Sequence, residues 1–409
     1  MTHAEHAIDP GRRRRIGVYG SALIGLMMLV VVACWPAARS YGQTDRQFDP
    51  PIVITAGGTY RGSWESQDAT TPAVLIRTSE PVVIEHSFIR SRGHLIRSDH
   101  GFDVDLIVRY VYGEALVPNV EGRAPGRFVS ADTYRQVTVE RSTMVGTAGI
   151  YLYRSTEGAS ARIVGNRALN IDGRVADGAG GFDTSQRGDL VQFVQFNAGN
   201  ALRGTEVAWN EVINEPFVSR VEDIVSLFAT TGAPDDPIRI HNNFLQGAYP
   251  LDPAEDGFSG GGIMLGDGGG GHQQAYMNQV VATSNYGIAI SGGHDQHVFD
   301  NRVVSCGVLP DGRPIASQNV GIYVTTRQGD PADSVKRGSG NLIAWAHPRL
   351  IRNDYWVPAA SEWSHNVSLV VGRTVTCDRE AHEYEYWQRK LAAAGMAIGA
   401  NRALMAETP

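Results

Sequence analysis

The sequence predicts an all-β chain wound as a single-stranded right-handed parallel β-helix, closed by a short helical segment at its C-terminus. Three observations predict it. Short apolar runs recur along the chain: Val74-Leu75-Ile76, His94-Leu95-Ile96, Phe128-Val129-Ser130, Ile150-Tyr151-Leu152, Leu190-Val191-Gln192-Phe193, Ile224-Val225-Ser226-Leu227, Ile263-Met264-Leu265, Ile288-Ala289-Ile290 and Ile322-Tyr323-Val324. Each is followed by a second run ending on a turn residue, in order Ser87, Arg109, Ser142, Asn166, Asn210, Asn243, Asn278, Asn301 and Asn341, spaced by 22 to 44 residues. No helical periodicity intervenes. Strands this short cannot bury an apolar face alone, but coils stacked on one another share a continuous core.

The elements follow in order. Residues 1–43 read as a targeting segment, with Arg12 to Arg15 preceding the apolar stretch Ile16 to Trp35 and then Pro36-Ala37-Ala38. That is the layout of a cleaved secretory signal. Two alternatives stay open: a membrane anchor through residues 16–35, long enough to span a bilayer, and a lipoprotein acylated at Cys34 within Val31-Val32-Ala33-Cys34. All three place the remainder outside the cytoplasm, as a secreted or periplasmic protein that meets the membrane only through its N-terminal segment. Residues 44–377 form the solenoid, with 44–73 as a lead-in and Ile351 to Val371 as a last coil around Asn366. The asparagines that close the second strands suit a tight turn and a stacked amide ladder. From Asp378 the composition turns to Glu, Arg, Ala and Leu, and residues 378–409 are expected to cover an open end of the stack. Cys306 and Cys377 either pair in an oxidising compartment or stay as two buried thiols.

The chain carries a formal net charge of −7, and its arginine-rich segment lies at the N-terminus. So acidic a body is a poor nucleic-acid binder. Oligomeric state cannot be read from the sequence.

The Gly-Ile-x-[Leu/Ile/Val] and [Val/Ile]-x-x-Asn phrases, with Gly57-Gly58-Thr59-Tyr60 leading in, make the chain resemble the pectin-lyase-like superfamily of parallel β-helix proteins over about residues 50–375. The resemblance implies the fold and a polysaccharide partner. Members are lyases, hydrolases or epimerases acting on acidic polysaccharides, and the lyases often hold calcium. No active-site motif of any one of them is matched, so a non-catalytic surface or periplasmic β-helix that binds glycan is the alternative.

The densest chemistry lies in Gly260-Gly261-Gly262-Ile263-Met264-Leu265-Gly266-Asp267-Gly268-Gly269-Gly270-Gly271-His272, followed one coil later by Gly292-Gly293-His294-Asp295-Gln296-His297. Matching Ile263 to Ile288 places Asp267 over Gly292 and sets the two histidine-bearing turns side by side. Bare glycines let a ligand approach the backbone. Asp267, His272, His294, Asp295 and His297 supply titratable groups for acid/base catalysis. His with carboxylate would also suit a transition metal, but no ligand spacing is diagnostic and no metal ligand is assigned. The insertion Gln246 to Gly260 would fold over these turns, its Tyr249 stacking on a sugar and its Asp252 and Asp256 holding substrate or calcium. Arg327 joins them as a binding residue on the polar row of turns that also holds Arg77, Arg97, Asp99, His100, Asp132 and Arg154. Glu222 and Asp223 are weaker candidates.

Overall fold

Among the described residues eleven coils of short strands, from Ile52–Ile54, Gly58–Tyr60 and Ser63–Ser66 to Tyr355–Trp356, Glu362–Ser364 and Val367–Ser368, stack in parallel. The computed structural model describes residues 46–184, 188–349, 352–369 and 374–400; the targeting segment 1–43 lies outside them. First and second strands share a 21-stranded sheet and third strands form an 11-stranded one. On the eighth coil the first two strands merge into the 16-residue strand Gly261–Tyr276. The fold is a parallel β-helix.

Register follows the apolar repeat. Val129, Ile150, Val194, Val225, Ile263, Ile288 and Ile322 sit one above another. All seven are fully buried in the core, where each such side chain contributes about 2 kcal/mol of transfer free energy. The expected pairing of Ile263 with Ile288 holds. Two expectations shift. The lead-in is already a complete first coil, and three strands start later than the apolar runs suggest, at Ile96, Val129 and Val194. Leu95, Phe128 and Phe193 are buried in the corners before those strands, because a corner residue facing inward is as apolar as a strand residue.

Seven asparagines, Asn166, Asn210, Asn243, Asn278, Asn301, Asn341 and Asn366, form the expected ladder. Each Oδ1 accepts the backbone N–H of the residue one coil before, and from Asn210 onward also that residue's Nδ2. Ser142 and Ser87 continue it toward the N-terminus through Oγ.

The C-terminal helix, Asp378–Ala394, does not cover an open end. It lies along the outside of the third-strand sheet, where Trp387 and Leu391 pack on Phe244, Tyr249, Val281 and Ala282. Arg302 grips Glu383 with two bonds of 2.5 and 2.6 Å. Past Gly395 the chain runs on until Gly399 N–H donates to the Gly165 carbonyl and Ala400 N–H to Thr143 Oγ1. A disulfide between Cys306 and Cys377 pins the other end. The reason is in the third strands, whose outward side chains include Phe244 and Val281 and so need an apolar cover. Among the described residues no helix is long and apolar enough to cross a membrane.

Candidate functional site

Alternation along the first strands points one residue in two away from the core. On successive coils that outward position is held by Leu75, Arg97, Ser130, Tyr151, Gln195, Ser226, Met264, Ala289, Tyr323 and Trp356, paired in unbroken register. The column is a track along the helix axis. Aromatic rings mark it at Tyr151 in its N-terminal half and at Tyr323 and Trp356 at its C-terminal end, with Trp356 55% exposed. The Arg127 and Arg154 guanidiniums lie over the Tyr151 and Tyr153 rings at 5.3 and 4.7 Å.

One edge of the track is made by the turns that lead into the first strands. A cavity of about 360 Å³ opens there, lined among others by His94, Arg123, Arg127 and Asp189. Burial, with Arg97, Arg127 and Arg123 nearby, pushes His94 down to about 4. Farther along the same edge Glu222 accepts a 2.9 Å bond from Gln192 Nε2, and burial, with Asp267 adding to it, raises its carboxyl above the ordinary range. Asp223 is raised well above that range by burial and by Glu222 beside it. Tyr286 donates its hydroxyl to Asp223 from two coils away. It passes over Gly261 of the coil between, where a Cβ would sit 2.1 Å from the Tyr286 ring. Glycine at 261 is what lets the pair form.

The opposite edge carries the glycine-rich turns between first and second strands. Inward-pointing polar residues hold them. Gln273 Oε1 accepts Gly266 N–H and its Nε2 donates to the Thr230 carbonyl, while Gln296 Nε2 donates to Gly292 O. One coil on, fully buried Lys336 donates to Thr325 O at 2.9 Å and to Asp330 at 2.8 Å. Asp330 in turn accepts the N–H groups of Gly293 and Arg327. On this scaffold Arg327 reaches past Gly292 to within 3.8 Å of Asp267. His272, His294 and Asp295 come together, with His294 Nδ1 at 2.8 Å and His272 Nδ1 at 3.7 Å from Asp295 Oδ2. Toward the N-terminal coils the same row holds Arg77 on Asp99 at 2.7 Å, and His100 and Arg154 on Asp132 at 2.6 and 3.1 Å.

The remaining candidates stand apart. His297 lies on the second strand, bonded to Ser339 Oγ at 3.1 Å with its ring against Phe299. Burial, helped by Arg337, lowers its basicity. It is three residues past His294, about 10 Å along an extended chain. Tyr249 is buried under the C-terminal helix and offers no face to a sugar. Asp252 caps a turn through Ala254 N–H, and Asp256 is exposed. Their insertion docks where Ala316 N–H donates to Pro253 O, at the corner between third and first strands. It does not fold over the glycine turns. The sequence reading missed Tyr151, Arg127, His94 and Tyr286 and underrated Glu222 and Asp223. The available signal was the outward position of the first strand and the carboxylates just before it.

No family model and no curated protein matches the sequence. Among solved structures the chain is similar to the crystal structure of the periplasmic alginate epimerase AlgG, at 12% identity and a TM-score of 0.37, over 77% of this chain and 79% of that one.

Proposed function

We propose that the protein is exported and binds an acidic polysaccharide along the first-strand track, processing it by lyase, epimerase or hydrolase chemistry. The observation that carries this reading is the track itself: an unbroken outward column with rings for stacking on sugar faces, arginines on either side, and titratable groups along both edges in its C-terminal half. Parallel coils repeat about every 4.8 Å, so successive sugars would meet successive rungs. Arg97, Arg127, Arg154 and Arg327 suit uronate carboxylates, which pair well with planar guanidiniums. Glu222, holding its proton above the usual carboxylate range, is the acid; the imidazoles of His272 and His294 are the bases across the track. The disulfide between Cys306 and Cys377 supports export, since such bonds persist outside a reducing cytoplasm.

A non-catalytic glycan-binding role is favoured by one observation, the scatter of candidates such as His297 and Asp256 away from these edges. A polysaccharide panel decides between the two. Unsaturated products seen by ultraviolet absorbance, new reducing ends, or inverted uronate residues seen by proton NMR support processing. Retention on a glycan column without any product supports the binding role, and neither retention nor product overturns both.

A further inference from the structure

We propose that His272, His294 and Asp295 form a binding site for one divalent first-row transition metal ion, with zinc the best fit. The proposal does not depend on the polysaccharide reading.

The three residues offer one donor atom each, and these atoms lie within 4.8 Å of one another. Ligands sharing an ion with bonds of about 2.1 Å stand about 3.0–3.5 Å apart, so small side-chain rotations close the set. The backbone prepares it. Gly271 pairs with His294 and Gln273 with Gln296, which makes His272 and Asp295 equivalent positions on neighbouring coils. Both stand in the left-handed region, at φ 52° and 53°, and project at the same phase of the stack. The His294 ring lies over Gly271, where a Cβ would fall 2.4 Å from the imidazole. Glycine at 271 therefore seats the second imidazole beside the first, with ring centroids 5.0 Å apart and planes at 86°. Among the described residues the ion pairs of Asp295 are with these two histidines, so no guanidinium competes for the carboxylate.

The donor chemistry selects the ion. Two imidazoles and one carboxylate suit zinc and its first-row neighbours, whereas calcium takes six to eight oxygens. Three protein ligands leave positions open, and the surrounding glycines leave room for a water or a sugar oxygen. An ion held there would occupy the imidazole nitrogens that serve as bases in the metal-free protein, and a bound water with its pKa lowered would supply the base in their place.

The test uses untagged protein after chelator treatment, titrated with zinc against a chromophoric chelator and, separately, with cobalt. One equivalent of zinc per chain is expected, and cobalt should give visible bands characteristic of low coordination. His272→Asn and Asp295→Asn keep a residue that tolerates left-handed backbone, and with His294→Ala each should weaken zinc binding by about tenfold or more, or about 1.4 kcal/mol. His297→Ala should leave affinity and stoichiometry unchanged. Circular dichroism of each variant reports whether the solenoid persists. Absence of stoichiometric zinc binding, or equal affinity in folded His294→Ala and wild-type protein, overturns the proposal.

Discussion

Replacing Asn243 by alanine tests the reasoning behind the ladder most directly. Its side chain is fully buried and makes four hydrogen bonds. Oδ1 accepts Asn210 N–H at 3.0 Å and Asn210 Nδ2 at 2.9 Å, and Nδ2 donates to Val207 O and Asn278 Oδ1, both at 2.9 Å. Truncation removes all four. At about 1 kcal/mol for each bond, and more where a buried partner is left orphaned, Asn243→Ala should cost about 4 kcal/mol. Asn366, at the last rung and only part-buried, also accepts twice and donates once. Water can replace those bonds, so Asn366→Ala should cost about 1 kcal/mol or less. Asn243→Ser should recover part of the loss, because Ser142 Oγ already accepts Val111 N–H in the same column. Urea denaturation followed by circular dichroism gives the differences as shifts in midpoint at unchanged slope. If Asn243→Ala lay within about 1 kcal/mol of wild type, or matched Asn366→Ala, the ladder would not hold the coils in register.

Reducing the Cys306–Cys377 bond, which spans 71 residues, removes about 4 kcal/mol of loop-closure free energy on the chain-entropy account. Limited proteolysis should then cut first within residues 378–400; unchanged resistance would show that the helix is held by packing alone. Glu380, pushed up to about 7 by burial from 4.5, keeps its proton in the folded state over a range where the unfolded chain has lost it. Stability should therefore fall as pH rises from about 4.5 to 7 and level off above. Melting temperatures of Glu380→Gln should show a shallower slope across that window, and an unaltered profile would count against it. Gly261→Val should lower the melting temperature and break the Tyr286–Asp223 contact, since even a Cβ falls 2.1 Å from the tyrosine ring. On a confirmed substrate, Glu222→Gln and His294→Ala should each lower turnover by about 10²- to 10⁴-fold, while Arg77→Ala changes binding at most. Full turnover in both central variants would remove catalysis from this part of the track.

The repeat of short apolar runs was enough, by itself, to determine a parallel solenoid, because such strands have no other way to bury their faces. The register of Ile263 on Ile288 and the asparagine ladder were legible for the same reason: identical positions on successive coils recur as identical residues. The proximity of His272 to His294 was legible too, since both lie in the same turn of neighbouring coils. Other features depended on contacts with no periodic trace. The helix lies along the third strands because Trp387 and Leu391 meet Phe244 and Val281 from far along the chain, and nothing in the spacing of those residues announces it. That packing buries Tyr249, which the sequence presents as an aromatic in an acidic loop. The Tyr286–Asp223 pair crosses a whole coil through the space above Gly261. Burial then sets the protonation of Glu222 and Asp223. Composition states which groups a chain owns, but desolvation depends on what is packed around them, and only the tertiary structure decides that.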